Sequence, residues 1–118
     1  MKKLATTTFF LAVFSAFCFA QVPNKNVPVA EHYEGGQAAM YEFINSRIIY
    51  PPTAKRNRMQ GECVIAFVLN EDGTTSDYRI VTSKGGGTGE EALRVVKLLK
   101  FRKPGYKLQT SIPIIFKL

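Results

Sequence analysis

The chain has 118 residues, 46% of them hydrophobic, and a formal net charge of +7 at pH 7. This length is enough for one domain with a modest core. The sequence contains one histidine and two cysteines, which are too few for a metal site built from clustered His and Cys ligands. We therefore expect neither a metal ion nor another cofactor.

Residues 1–20 have the three-part layout of a secretory signal peptide. A short basic start is followed by the mostly apolar segment Leu4–Phe19 and by small residues at Cys18 and Ala20. We predict cleavage after Ala20. Two alternatives are a retained membrane anchor, for which the apolar segment is short, and lipidation of Cys18, which the bulky Phe17 before it disfavours.

The next segment, 21–34, contains two prolines and no apolar periodicity, which predicts a flexible lead. The domain then covers 35–118. Its first helix is predicted over Gly36–Ile48, because apolar residues recur at helical spacing there. The helix ends before Pro51, and a short basic turn is predicted over Thr53–Met59. The apolar face of the helix consists of Met40, Phe43, Ile44 and Ile48.

Two strands follow. Glu62–Leu69 is apolar at nearly every position, which is typical of a central strand covered on both faces. Asp72-Gly73 predicts a hairpin turn. The returning strand, Thr75–Ser83, alternates as expected of a half-exposed strand, with Tyr78, Ile80 and Thr82 on one side.

A second helix and a third strand complete the pattern. Thr88 and Glu91 have the spacing of a capping box, and the helix is predicted to reach Lys100 with Ala92, Val95, Val96 and Leu99 buried. Tyr106–Leu118 alternates between apolar and polar residues, which predicts a strand. Pro113 places that strand at an edge or a bulge, because proline cannot donate to a ladder.

The connections limit the topology. A hairpin followed by a helical crossover makes the third strand parallel to the second and antiparallel to the first. If the sheet is purely antiparallel, the first strand is central, which agrees with its apolar run. The predicted fold class is therefore α+β: a three-stranded antiparallel sheet, order 2-1-3, with two helices. The last strand is then a free edge, and an unpaired edge is a template for the backbone of another chain.

The residues that could carry chemistry do not form a catalytic set, so we expect no enzyme. His32 lies in the lead and is interpreted as a surface residue, and Cys63 is interpreted as a buried, inert thiol. The loop 84–89 lacks the glycine pattern of a nucleotide-binding loop. The export signal argues against nucleic acid as a partner. Basic residues cluster late, as either a solvated face or a surface for acidic partners: Arg94, Lys97, Lys100, Arg102, Lys103 and Lys107.

The ordered set of local motifs over Gly35–Leu118 resembles the C-terminal domain of TonB, the energy-transducing protein of Gram-negative envelopes. The matching motifs are Tyr50-Pro51, Gly61 before the strand that contains Phe67, Asp72-Gly73, Val81-Thr82-Ser83, Glu91-Ala92, Phe101 with Pro104-Gly105, and Pro113-Ile114-Ile115-Phe116-Lys117-Leu118. The resemblance implies a small antiparallel sheet with two helices.

The resemblance also implies that the last strand binds a short extended peptide by strand addition. The partner would be an outer-membrane TonB-dependent receptor or another envelope protein, reached from the periplasm, with membrane contact only if the N-terminal segment is retained. The implied contact residues are Tyr106, Lys107, Leu108, Gln109, Thr110, Ser111, Ile112, Ile114 and Phe116. Backbone groups would supply affinity.

Three alternatives stay open from the sequence. The edge strand could pair with itself and give a homodimer or scaffold module. The chain could be a short energy transducer anchored in the inner membrane and facing the periplasm. The edge could also be covered by 21–33 folding back onto it.

Overall fold

The computed structural model describes residues 20–21 and 25–118. The predicted signal peptide therefore lies outside the described residues except for Ala20. No helix in the described ranges has the length and apolar character needed to cross a membrane. The elements are a 3-10 helix (Pro28–His32), α1 (Gly36–Arg47), α2 (Pro52–Arg56), α3 (Thr88–Val96), β1 (Ala20–Gln21), β2 (Gly61–Leu69), β3 (Thr75–Thr82) and β4 (Leu108–Phe116).

The three long strands form the predicted sheet. The strand order is β1-β4-β2-β3 and every pairing is antiparallel. The order 2-1-3 of the long strands is therefore confirmed, with β2 in the centre. The short strand β1 is an addition that the sequence did not predict, and it pairs with the end of β4.

One face of the sheet packs against the helices and holds the core. Alternate residues of β2 and β4 point into it, because successive side chains of a strand lie on opposite faces. From β2 these residues are Cys63, Ile65, Phe67 and Leu69, and from β4 they are Ile112, Ile114 and Phe116, all of them buried. On the opposite face Val64 and Val68 are half-buried. The expectation that β2 is covered on both faces therefore holds fully for one face only.

Helix α3 has the predicted buried face but a different start. Ala92, Val95 and Val96 are buried in the helix, and Leu99 is buried just after it, because α3 ends at Val96 and not at the predicted Lys100. The capping-box prediction is wrong, because the N-cap is Gly87 and the Thr88 hydroxyl donates to the carbonyl of Gly85 at 2.8 Å. The Glu91 carboxylate, predicted to complete the capping box, instead accepts hydrogen bonds from the backbone N–H of Ile49 at 2.7 Å and from the guanidinium of Arg94. Glu91 therefore ties α3 to the segment after α1.

The predicted flexible lead differs from the structure over its second half. Val27, Val29 and Ala30 are at most 3% exposed and belong to the core. This short apolar group sits on a five-residue 3-10 helix, too short to show a period in the sequence. His32 is not a plain surface residue, because its side chain is only 14% exposed.

The β2–β3 turn is the predicted Asp-Gly turn, and it leads to a pH prediction. The Asp72 carboxylate accepts hydrogen bonds from the hydroxyl and the backbone N–H of Thr74 at 2.6 and 3.0 Å. These bonds lower the pKa of Asp72 in the folded chain. Because the folded-state pKa is depressed, the stabilisation is present above the unfolded-state pKa and is lost as the pH falls through the folded-state value.

We expect the carboxyl carbon of Asp72 to titrate below the ordinary range of aspartates in an NMR pH titration. The Thr74→Val variant should return that pKa towards its ordinary value, since it removes the hydroxyl donor, which is the larger cause. An unchanged pKa in Thr74→Val would contradict this assignment.

Candidate functional site at the β4 edge

The predicted contact residues divide between a loop and a strand. β4 begins at Leu108, so Tyr106 and Lys107 lie in the loop before it. The Tyr106 hydroxyl lies 3.0 Å from Nε2 of His32, and the two rings meet edge to face. The 3-10 helix is thereby fastened beside the start of β4.

Within β4 the side chains alternate between the core and the open face of the sheet. Ile112, Ile114 and Phe116 are fully buried under the helices, so their side chains cannot reach a partner. Gln109 and Ser111 are exposed. An approaching chain therefore meets backbone groups along β4 and the side chains of these two residues.

The outward direction of the backbone can be assigned from Pro113. Proline has no N–H, and the Pro113 carbonyl accepts a hydrogen bond from the Tyr41 hydroxyl of α1 at 2.7 Å, so this residue turns its polar group away from β2. In an antiparallel pair such outward positions recur at every second residue. Gln109, Ser111 and Ile115 therefore also direct their backbone groups outward.

Burial keeps the Tyr41 hydroxyl, which donates to the Pro113 carbonyl, in its protonated form. Tyr41 is 0% exposed, and burial, with a smaller contribution from the negative charge of Glu62, raises the pKa of Tyr41 far above the physiological range. The hydroxyl therefore stays protonated and donates. The sequence analysis missed this residue, although Tyr41 fits the apolar helix face three and seven residues before Ile44 and Ile48.

The two strands that flank β2 differ in regularity, and β4 is an outer strand only over the part that β1 does not cover. β4 pairs with β2 in an unbroken register from Gly61↔Phe116 to Leu69↔Leu108. β3 pairs with β2 through two irregularities, and one of them includes Asp77 at a φ of 54°. Bulges bend a strand and disrupt its ladder, which discourages further pairing. Of these two strands, β4 presents the regular edge.

The second irregularity also changes the orientation predicted for the end of β3. The register moves from Ile65↔Ile80 to Val64↔Thr82, so that one extra residue stands in β3. Thr82 therefore shares the face of Val64 rather than that of Ile80. The predicted alternation of Tyr78, Ile80 and Thr82 on one side is wrong at Thr82, because an extra residue reverses the parity of a strand.

The N-terminal segment covers one end of the β4 edge. Gln21 pairs with Ile115 and Ala20 with Phe116. Further along, Lys25 Nζ lies 3.0 Å from a Glu62 carboxylate oxygen. In the part of the chain that the structure describes, Gln109, Ser111 and Pro113 have no strand on their outer side, and the 3-10 helix Pro28–His32 contacts β4.

The open face beside this stretch carries a shallow cleft. It has a volume of about 490 Å³ and reaches across all three long strands. The residues that line it are Ala66, Phe67, Val68, Asp77, Tyr78, Arg79, Gln109 and Thr110. The lining combines apolar side chains of β2 with the exposed side chains of Asp77 and Arg79. Such a cleft suits a ligand that has both polar and apolar groups.

Several members of the late basic cluster have partners within the fold. Arg94 donates to Glu91 and to the Arg47 carbonyl at 2.9 Å. Arg102 donates to the Glu31 carbonyl at 2.8 Å, and Lys97 lies over the Tyr78 ring. These contacts give half of the cluster a structural role. Lys100, Lys103 and Lys107 are exposed.

In the described part of the chain, no metal or nucleophile site competes with the edge as a candidate. Among residues 20–21 and 25–118, no three His, Cys, Asp or Glu side chains come close enough to hold a metal ion. Cys63 is free and buried, as predicted. His32 contacts Tyr106 and Glu31 rather than this thiol.

Two curated relatives match part of the chain in sequence. Over 78 residues the chain is 31% identical to the protein described as "Protein TonB" in two strains of Helicobacter pylori. The match covers 64% of this chain but only 28% and 27% of the relatives, so the chain spans less than a third of their length.

Two solved structures have the same architecture. Both are NMR solution structures of the TonB C-terminal domain of Helicobacter pylori. The first is 24% identical, with a TM-score of 0.60, and the match covers 81% of this chain and 97% of that one. The second is 27% identical, with a TM-score of 0.56, and the match covers 68% and 90%.

The family comparison covers the elements that form the β4 edge. Residues 46–118 match the family described as the Gram-negative bacterial TonB protein C-terminal. This range contains all three long strands and helix α3. The chain therefore belongs to the TonB C-terminal domain family, which is linked to TonB-dependent transport.

Proposed function

We propose that the chain binds an extended peptide segment of an outer-membrane receptor, which adds as a strand to the outer side of β4. The observation that carries this proposal is the regular β4 ladder with outward backbone groups at Gln109 and Ser111. Each such residue offers one N–H and one C=O to an incoming strand. Membership of a family linked to TonB-dependent transport supports a receptor as the partner.

The proposed setting is the periplasm, with the chain cleaved after Ala20. Mass spectrometry of the protein isolated from its native envelope tests this part directly. An N-terminus at Gln21 supports a free periplasmic domain. An intact Met1 would contradict cleavage and favour the anchored alternative.

A titration by NMR tests the binding itself. The labelled protein is mixed with synthetic peptides from the periplasmic N-termini of outer-membrane receptors of the same organism. We expect the largest backbone amide shifts at Gln109 and Ser111, with smaller shifts in β2. Shifts confined to β3, or none with any receptor peptide, would contradict the proposal.

A single proline gives the sharpest variant. Ser111→Pro should weaken peptide binding about fivefold, because it removes the outward N–H that would donate to the added strand, and one hydrogen bond is worth about 1 kcal/mol. The ladder with β2 should survive, since the Ser111 N–H points away from β2 and Pro113 already occupies an equivalent position.

The matched control is Ser111→Ala, which keeps the N–H and removes only the hydroxyl. It should bind peptide within a factor of two or so of the wild type. Sedimentation at several concentrations separates strand addition from self-pairing at the same edge. Only self-pairing predicts a wild-type dimer that Ser111→Pro dissociates.

A further inference from the structure

We propose that a basic patch at the end of the sheet where β2 begins binds the surface of a membrane that contains anionic phospholipids. The basic patch consists of Lys55, Arg56, Arg58 and Lys84, and all four residues are exposed. It lies apart from the open part of the β4 edge and takes a different kind of partner. The inference therefore does not depend on peptide binding.

Two separate parts of the chain pack together to form the basic patch. Gly86 lies so close to α2 that a Cβ built on it would be 2.9 Å from Cα of Ala54, so the loop after β3 is held against α2. Lys84 opens this loop. Its methylene stem runs across the start of β2, because a Cβ built on Gly61 would lie 2.6 Å from Cε of Lys84. Lys84 thus lies at the end of the sheet where α2 and its C-terminal turn lead into β2.

The basic patch has few acidic neighbours. Among the described residues, the ion pairs are those of Lys25 with Glu62, of His32 with Glu31 and of Arg94 with Glu91, and none of them involves a cation of the patch. The first of these pairs occupies the acid at the start of β2. Glu90, on the first turn of α3, is the remaining acid near this end. The patch therefore keeps most of its positive charge for a partner.

The backbone at Arg58 indicates that this side chain has a role beyond stability. At the end of α2 the Arg58 N–H donates to the Lys55 carbonyl at 3.2 Å, and the Met59 N–H donates to the Ala54 carbonyl at 2.8 Å. This pair of bonds is the Schellman motif, in which the left-handed residue is usually a glycine. Arg58 takes that position at a φ of 55°, although a Cβ is disfavoured there. Retained strain of this kind indicates a functional residue, and here it adds a guanidinium to the basic patch.

The composition of the basic patch fits a surface of phosphate groups. Two of its members are arginines, whose planar guanidinium groups bind phosphate oxygens through paired hydrogen bonds. Each basic residue near an anionic bilayer strengthens binding about fivefold. The four cations stand on a helix, its C-terminal turn and a loop, and the cleft on the open face of the sheet is lined by other residues. Exposed charges spread in this way suit a surface of many phosphates better than one extended peptide.

The basic patch and the open part of β4 can act at the same time. Gly61, beside Lys84, pairs with Phe116, whereas Gln109 pairs with Val68. Phe116 and Gln109 are seven steps apart along β4, about 23 Å at strand spacing. A protein that rests on a bilayer through the patch therefore keeps Gln109 clear of the lipid headgroups.

Flotation with lipid vesicles tests the proposal. The full chain, expressed with its own N-terminal segment, is mixed with vesicles of phosphatidylcholine alone or of phosphatidylcholine and phosphatidylglycerol in equal parts. We expect stronger binding to the anionic vesicles, and the excess should disappear at high salt because salt screens exposed charges. The difference between the two vesicle types isolates the charge-dependent part from any apolar contribution of the N-terminal segment. Equal binding to both types would overturn the proposal.

Paired lysine substitutions locate the surface that binds. Lys55→Gln with Lys84→Gln should weaken binding to the anionic vesicles about twentyfold, since each lost charge accounts for about fivefold. The matched control is Lys100→Gln with Lys103→Gln. It removes the same charge at the other end of β2, where Lys103 lies beside the β2–β3 turn, and it should bind within about twofold of the wild type. An equal loss in both pairs would show an effect of net charge alone and would contradict the patch.

Arg58→Gly separates membrane binding from stability. It should weaken binding to the anionic vesicles about fivefold, yet it should melt at the same or a higher temperature than the wild type, because glycine adopts the left-handed conformation without a Cβ penalty. Unchanged vesicle binding in Arg58→Gly would contradict the role assigned to this residue.

A polyglutamate peptide tests the other class of partner. We expect the wild type to bind anionic vesicles whether or not it also binds this peptide weakly. Binding of polyglutamate that Lys55→Gln with Lys84→Gln abolishes, together with no binding to either vesicle type, would overturn the membrane proposal and assign the basic patch to an acidic protein.

Discussion

Tyr41→Ala is expected to lower the free energy of unfolding by about 4 kcal/mol, the cost typical of truncating a buried aromatic side chain. Tyr41 belongs to α1, and its fully buried side chain extends to the backbone of β4. Its removal leaves a cavity and also strips the Pro113 carbonyl of its donor. Since domains of this size are stable by only about 5–15 kcal/mol, the variant should unfold at much lower urea concentration.

Tyr41→Phe separates the two contributions. It keeps the ring in the core and removes only the hydroxyl, so the loss should be about 1–2 kcal/mol, the cost of leaving a buried carbonyl without its partner. Urea unfolding followed by circular dichroism measures both variants. If Tyr41→Phe costs as much as Tyr41→Ala, the hydroxyl rather than the packing dominates, and the cavity argument fails.

Gly86→Ala is expected to destabilise the protein by about 3 kcal/mol, for two separate reasons. Gly86 has a φ of 66°, a conformation that costs other residues about 1–2 kcal/mol. A Cβ at this position would also lie 2.9 Å from Cα of Ala54 and 2.7 Å from Sδ of Met59. The sulfur can move, but the backbone of α2 cannot do so without shifting its packing.

Gly105→Ala provides the matched control. Gly105 has a φ of 85°, yet a Cβ built there meets no atom within 4 Å. It should therefore show only the conformational cost, about 1 kcal/mol. Thermal unfolding of the two variants gives the difference. Equal melting temperatures would show that the loop before α3 does not press against α2.

The sequence was sufficient for the sheet because its strands carry strong patterns. The apolar run Glu62–Leu69 predicted the central strand, and the alternation after Tyr106 predicted an outer strand whose side chains divide between core and solvent. Both patterns report burial directly, since a strand places successive residues on opposite faces. The two longer helices were predicted for the corresponding reason, a helical period of apolar residues.

The sequence was insufficient where single residues act through tertiary contacts. Thr88 and Glu91 have capping-box spacing, but Gly87 takes the N-cap and Glu91 accepts from Ile49 instead. The irregularity at Asp77 depends on a local backbone conformation that no residue pattern displayed. Propensity and spacing are weak signals beside such contacts.

The candidate site shows the same division. Alternation placed Gln109 and Ser111 on the face of the last strand that lies opposite the core. It could not identify Tyr41, whose role arises because α1 lies beside the β4 edge. A helix residue that bonds to the backbone of a distant strand leaves no local signature, and only the fold brings the two together.

The position of β4 in the chain has a consequence for the order in which the protein can fold. β4 is the last strand in chain order, yet it pairs with the central strand over its whole length and supplies Ile112, Ile114 and Phe116 to the core. A chain that emerges N-terminus first therefore holds β2 without one of its two neighbours until residue 116 has appeared. Such late, long-range pairing is slow and leaves apolar surface open to aggregation. We therefore expect the chain to be prone to aggregation until β4 pairs with β2.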